Sequence, residues 1–368
     1  MLPTVRRRLE EGIVQGLHLG AQVYVSRQGT PAADFAVGES APGEALSPGH
    51  LMAWASSSKP VAAVAIGQLW ERGLLSLDDR VTRFLAEFGV GGKEAITLRH
   101  CLTHTGGFRM IDVGWPRESW NDILKRICAG RLEPRWVPGE RAGYHQQSSW
   151  FVLGEVVRRV DGRPFERYVR DEIFEPLGMP DCWIGMPPER YAAYGSLVAP
   201  GWNTEQTPPV NTEWNAERRV TSCAPGSNGF GPARQLGRLY EALLGGGELG
   251  EHRVLRPQTV EALIARHRVG LFDQTFRKEM DWGLGFIPNP AVHGDPDVPY
   301  AYGRYASRRA YGHSGYRSST AFADPEHGLV VVLIANGTPG DAAHAERMKG
   351  LTEAVYEDLG LTSQPAVE

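Results

Sequence analysis

Residues 54–73 read WASSSKPVAAVAIGQLWERG, and the relation of Ser56 and Lys59 to the run behind them decides the fold. Val61, Val64, Ala65, Leu69 and Trp70 recur at helical spacing, and Gly73 ends the run. The spacing predicts a helix over 56–72. Ser56 and Lys59 are three residues apart, so on a helix their side chains share a face and can meet. A serine ahead of a helix is ordinarily an N-cap. Capping, however, gives Lys59 no role at the head of an apolar helix. Catalysis does. A hydroxyl becomes a nucleophile when a neighbour removes its proton, and an amine can do so once burial or positive potential holds it neutral. Free N–H groups at the helix start can also donate to an oxyanion.

Two further polar motifs lie downstream. Tyr144-His145-Gln146 follows Trp136-Val137-Pro138-Gly139-Glu140, and His313-Ser314-Gly315 precedes a strand expected at Arg317. A Ser-x-x-Lys, a middle polar motif and a third motif ending in Gly, in this order, resemble the penicillin-recognising serine enzymes. Within them the chain resembles the class C β-lactamase branch, and most closely the family VIII carboxylesterases. The resemblance runs nearly end to end through LLSLDDRV (74–81), LRHCLTHTGG (98–107), LGEVV (153–157), GLGF (283–286) and GHSG to AFADP (312–325).

The resemblance implies an α/β (α+β) fold of β-lactamase/transpeptidase type, an antiparallel sheet flanked by helices with an inserted mainly helical region. It implies that Ser56 attacks a carbonyl and is acylated, that Lys59 takes or relays the proton, and that Tyr144 hydrogen-bonds Ser56 and shares the acid and base work. The backbone N–H groups of Ser56 and Tyr316 are expected to form the oxyanion hole. His313, Ser314, Gly315, Gln146 and His145 are expected along the substrate site.

Two departures shift the expected activity. Gln146 stands where β-lactamases carry an Asn that holds a substrate amide. His313 stands where they usually carry a Lys, and a His is mostly neutral at pH 7. Both point from β-lactam cleavage toward a small-molecule ester, and Tyr144-His145 fits the esterase branch. The same acyl-enzyme serves an acyltransferase if an amine or alcohol arrives before water, and weak β-lactamase or D-peptidase activity is a further alternative. No metal or organic cofactor is expected. His100 and His104 have zinc-helix spacing, but position 101 is Cys where zincins use Glu.

The rest of the sequence sets bounds. It has 368 residues, 42% hydrophobic and 22% charged, and a net charge of −4, which gives no reason to expect a nucleic-acid partner. The apolar run Leu329–Ala335 is far short of a membrane span, and the start of the chain lacks a secretory h-region. Cys101, Cys128, Cys182 and Cys223 read as free thiols, so a soluble cytoplasmic protein is expected. Its oligomeric state is not legible.

Helices are predicted at 2–16 (apolar face Val5, Leu9, Ile13, Val14), 98–102, 150–160, 165–174, 232–244 and 343–359. Strands are predicted at 22–26 and 33–37, joined at Gln28-Gly29, and at 317–323 and 329–334, joined by a turn over 324–328. Residues 186–229 and 269–309 read as irregular, the first as a lid or binding loop. Trp202, Trp214 and Trp282 are candidates to shape a cavity. The expected division is a sheet domain from 1–75 and 295–368, with a helical domain over 76–294.

Overall fold

In the computed structural model, which describes residues 2–294 and 298–362, a hairpin near the start and strands near the end build one sheet. Strands β1 (Gly20–Arg27) and β2 (Thr30–Ala41) meet at Gln28 and Gly29, whose φ angles are 51° and 73°. Positive φ at both central residues is what a tight hairpin turn with the sheet's twist requires. The other strands are β3 (Glu44–Ala45), β4 (Ile287–Pro288), β5 (Tyr311–Ser314), β6 (Ser319–Asp324) and β7 (Leu329–Ala335). Their order is β4-β5-β6-β7-β1-β2-β3, and all neighbours are antiparallel. The register of β1 on β7, from Ala21 opposite Ala335 to Arg27 opposite Leu329, joins the two ends of the chain.

Every residue of β7 is buried, because the sheet is covered on both faces. Successive strand side chains point to opposite sides. Leu329, Val331 and Leu333 pack with Val5, Leu9, Leu351 and Val355 of helices α1 (Pro3–Val14) and α5 (Asp341–Asp358). Val330, Val332 and Ile334 face the larger core, which contains α2 (Lys59–Glu71), α3 (Ser148–Asp161) and α4 (Ala233–Leu244). A strand buried on both sides loses its polar alternation, hence the run LVVVLIA. The first turn of α1 has no side-chain cap of its own. Instead the Asp358 carboxylate, from the end of α5, accepts the N–H of Thr4 (2.9 Å) and Val5 (3.0 Å), placing a negative charge at the positive end of the helix.

Several elements differ from the sequence reading. Val14 is 89% exposed: it lies nine residues past Val5, about two and a half turns, and so on the opposite side of α1. The predicted strand 317–323 is β6, and His313-Ser314 lie in a preceding strand of their own, β5. Residues 186–229 are not structureless. They hold helices Pro188–Tyr194 and Glu217–Thr221 and short strands at Trp202–Asn203 and Val210–Asn211, with Gly229–Gly231 closing the stretch. Residues 165–174 begin as α-helix and continue as a π-helical turn over Arg170–Phe174.

From the stretch 76–294, β4 pairs with β5 in the sheet and α4 packs against β7 and β1. Residues 295–297, at that boundary, and 363–368 lie outside the described residues. No helix among the described residues is long and apolar enough to cross a membrane.

Helix α2 is buried along all its faces from Lys59 to Leu69. Val61, Val64, Ile66 and Leu69 are fully inaccessible, and each such side chain contributes roughly 1.5–3 kcal/mol on burial. Together they outweigh the several kcal/mol that taking one amine out of water costs. The apolar helix therefore carries Lys59 into the interior with it.

Candidate active site

The predicted helix start is a 3-10 turn over Ser56–Ser58, and the α-helix begins at Lys59. A short strand, Met52–Ala55, leads into it and pairs with Gly229–Gly231. Between strand and turn stands Ala55, with φ 49° and ψ −129°. A residue with a Cβ is rarely found there, at a cost on the order of 1–3 kcal/mol. The surrounding bonds hold it. Ser57 Oγ donates to the His313 carbonyl (3.2 Å) and meets Ser319 Oγ (2.9 Å). Ser58 Oγ donates to the Ala55 carbonyl (2.6 Å) and accepts the Gly229 N–H (2.8 Å). Of the three consecutive serines, only Ser56 lines the large cavity of the molecule, about 1560 Å³.

Lys59 is completely buried. Its Nζ lies 3.1 Å from Ser56 Oγ and donates to the carbonyl oxygens of Gln146 (3.0 Å) and Gly226 (2.8 Å). Burial drives its pKa well below the ordinary lysine value, with no carboxylate opposing the shift. A neutral amine has two N–H donors and one lone pair. The two carbonyls can only accept, so they take both donors, and the lone pair is left for the Ser56 hydroxyl proton. The Tyr144 and Trp150 rings lie 5.0 and 5.3 Å from Nζ.

Tyr144 is buried beside this pair, and its hydroxyl has no hydrogen-bond partner of normal geometry. Ser56 is nonetheless close enough to pull the phenol's pKa down, against a larger upward push from burial that leaves it well above its usual value. The phenol is thus protonated and able to donate.

The loop carrying Tyr144 is braced from beneath. Asp273 Oδ1 accepts the N–H of Tyr144 (3.2 Å), Thr275 (2.8 Å) and Phe276 (3.1 Å). Its other oxygen pairs with Arg268 at 3.0 Å, both side chains being at most 1% exposed. The His145 ring donates from Nδ1 to the Gly143 carbonyl (2.7 Å) and accepts the Phe108 N–H at Nε2 (3.1 Å). His104 Nδ1 accepts the His145 N–H (3.0 Å), and its ring packs 4.7 Å from that of Tyr144. Both histidines are buried and stay neutral, His145 with its pKa lowered to about 3 by burial. His145 therefore ties the loop down and does not line the cavity. Thr97 caps the helix Leu98–Leu102, and His100 completes the capping box, its Nδ1 accepting the Thr97 N–H (3.2 Å).

In the third motif Ser314 lines the cavity and its Oγ meets Thr320 Oγ1 at 3.0 Å, whereas His313 is fully buried, its ring 6.3 Å from that of Tyr144 and 6.2 Å from that of Tyr300. Its Nδ1 donates to the Ser314 carbonyl (2.8 Å), and burial first, then nearby Lys59, lowers its pKa to about 3. It carries no charge with which to attract a carboxylate. A Cβ on Gly315 would come within 2.3 Å of the Trp54 carbonyl, so glycine is what allows β5 to approach the Ser56–Ser58 turn. Tyr316 and Gln146 line the cavity, Tyr316 being 54% exposed. Trp214 lines it too. Trp282 instead lies buried under Tyr144, ring centroids 5.7 Å apart, and Trp202 donates its indole N–H to the Ser40 carbonyl (2.9 Å).

The Beta-lactamase family model matches residues 5–355. The chain belongs to the Beta-lactamase family. Among curated relatives of this family member, the Esterase EstB of Burkholderia gladioli is 28% identical over 343 residues, 82% of this chain and 81% of its own. The Esterase/beta-lactamase LipL of Mycobacterium tuberculosis is 25% identical over 308 residues, 76% of this chain and 68% of its own. A solved family VIII carboxylesterase superposes with a TM-score of 0.78 at 26% identity, covering 97% of both chains. These likenesses make this Beta-lactamase family protein a serine hydrolase of the β-lactamase fold. Asp273, Arg268 and His104 were missed as supports of Tyr144. His104 sits in a stretch the resemblance did single out, but nothing in the sequence around Asp273 distinguishes it from any loop carboxylate.

Proposed function

We propose that this protein hydrolyses a carboxylic ester through an acyl-enzyme on Ser56. The observation that carries the reading is the fully buried Lys59 amine, 3.1 Å from Ser56 Oγ and held by two carbonyl acceptors. Ser56 Oγ attacks the ester carbonyl as its proton passes to Lys59. The oxyanion of the tetrahedral adduct is held by the Ser56 and Tyr316 N–H groups, neither of which donates to a backbone carbonyl among the described residues. Such a donor is typically worth about 10²–10³ in rate. Collapse breaks the bond to the alcohol oxygen, which takes the Tyr144 proton, and Lys59 restores that proton to the phenol. Water then attacks the acyl-enzyme, giving up a proton by the reverse route, and Ser56 is regenerated.

The esterase names of EstB and the family VIII structure support an ester over a β-lactam, as does the absence of a cation on His313. Ser56→Ala is expected to abolish both ester turnover and the mass increment from a fluorophosphonate probe. A label that persists in that variant would place the nucleophile elsewhere. A second reading, acyl transfer, is favoured by cavity size. About 1560 Å³ exceeds the roughly 300–1,000 Å³ of an ordinary ligand pocket and leaves room for an acceptor beside the acyl group. The ratio of new ester to free acid formed in the presence of an alcohol separates the two. The unbridged thiols, Cys101, Cys128 and Cys182 buried and Cys223 partly so, support a cytoplasmic location, which cell fractionation tests.

A further inference from the structure

The cavity carries a cation that the proposed chemistry does not use. Arg219 lies in the helix Glu217–Thr221 and lines the cavity half-buried. Its guanidinium stacks over the Trp115 ring at 5.1 Å from the centroid and forms no ion pair or side-chain hydrogen bond among the described residues. The other cations of the cavity wall are differently placed. Arg304 pairs with Glu353 at 3.2 Å, and Lys349 is exposed at the rim. Of the acids on that wall, Glu353 is engaged by Arg304, Asp341 pairs with Arg317 at 2.6 Å, and Glu346 is exposed.

The position of Arg219 is fixed. Asn228 Nδ2 donates to the Arg219 carbonyl (2.9 Å), and Asn228 Oδ1 accepts the Gly185 N–H (2.8 Å). Gly229, the next residue, pairs with Ala55, which directly precedes Ser56. Trp115 is anchored in turn, its indole N–H donating to the Ser222 carbonyl at 3.0 Å. The cation and its aromatic platform are thus held to the strand that delivers the nucleophile.

We infer that Arg219 is the anchor for an anionic group of the substrate, a carboxylate or phosphate, so that the natural ester carries a negative charge away from its reacting carbonyl. A guanidinium stays charged even when partly buried, and its planar fork matches a carboxylate or phosphate with two parallel hydrogen bonds. Burial lowers its pKa with no acid opposing the shift, so the desolvation of this cation is uncompensated until an anion arrives. The neighbours shown for it, the Trp115 ring and the neutral Asn228 amide, offer no competing charge. This inference names the substrate class for the Ser56 reading and rests on that reading only for turnover.

The test separates binding from catalysis. Ser56→Ala protein is titrated calorimetrically with mono-4-nitrophenyl glutarate, charged on the acyl side, against 4-nitrophenyl valerate. 4-Acetoxybenzoate, charged on the alcohol side, is titrated against phenyl acetate. Binding of the charged member at least tenfold tighter in one pair is expected, shrinking to near parity when Arg219→Gln is added and only partly with Arg219→Lys, which keeps charge but loses the fork. Circular dichroism checks that both variants are folded. Parity in both pairs, or a preference that survives Arg219→Gln, overturns the inference. Turnover of 4-nitrophenyl valerate by the unaltered enzyme reports separately on Ser56: its absence counts against the esterase reading and leaves the binding comparison intact.

Discussion

Replacing Lys59 by Met changes how the stability of the protein depends on pH, and the size of the change follows from the structure. In the native state the amine is completely buried and its pKa lies well below the ordinary 10.5. In the unfolded chain it titrates near its ordinary value. Between the two pKa values the unfolded state therefore binds one more proton than the native state, and stability rises with pH across that window. One proton corresponds to about 1.4 kcal/mol per pH unit, so an amine neutral from pH 7 upward contributes about 2.7 kcal/mol of added stability between pH 7 and 9. Buried thiols act oppositely. Burial pushes Cys128 up to about 11, so the unfolded chain loses that proton first and stability falls above its unfolded pKa.

The quantity to measure is accordingly the difference between wild type and Lys59→Met, obtained by urea unfolding at half-unit steps from pH 7 to 9. The wild-type slope should exceed the variant slope by about 1.4 kcal/mol per unit. The Gln146 and Gly226 carbonyls lose their donor in the variant, which displaces its whole curve by about 1–3 kcal/mol per group without altering the slope. Ester turnover should fall about 10²–10⁴-fold, the usual worth of a positioned base. Parallel stability curves would show that Lys59 is an ammonium in the folded protein at neutral pH, and the base assignment would fail.

Tyr144→Phe removes a hydroxyl with no other protein partner, so it should leave thermal stability within about 1 kcal/mol while turnover drops about 10²–10⁴-fold; equal kcat in the two proteins refutes the proton-transfer role. Asp273→Asn leaves Arg268 buried without its counter-ion, at about 3–5 kcal/mol in denaturant unfolding, and loosens the Tyr144 loop so that kcat falls more than KM rises. Ala55→Gly, at φ 49°, should retain activity and raise the melting temperature through relief of up to about 1 kcal/mol; a marked loss of stability would show that Ala55 is not strained. Nitrocefin should be turned over far more slowly than an activated ester, because Gln146 and a neutral His313 replace the groups that hold a β-lactam; comparable kcat/KM for both substrates refutes this.

Residue spacing was enough to find the helix that carries Lys59, the two-ended sheet and the proximity of Ser56 to Lys59. Helical and strand periods, a three-residue offset and turn residues such as Gln28-Gly29 are local properties, and local sequence carries them. The order of the three motifs supplied the fold class by resemblance. The direction in which a residue faces was not legible where the backbone departs from a regular element. His145 and His313 stand beside site residues in the sequence but are buried and do not line the cavity, one held to the Gly143 carbonyl and the other packed beside the Tyr144 and Tyr300 rings.

The supports of the site were hidden for a different reason. Asp273 and Arg268 reach Tyr144 from more than 120 positions along the chain, and Gly226, whose carbonyl accepts a hydrogen bond from Lys59, comes from a stretch with no periodicity. The closeness of Lys59 to Ser56 is thus written in short sequence, but the charge of Lys59 is not. The neutrality of Lys59 depends on water being excluded by α2, α3 and the loops at 144–147 and 226–229, and exclusion of water is a property of segments brought together only by folding.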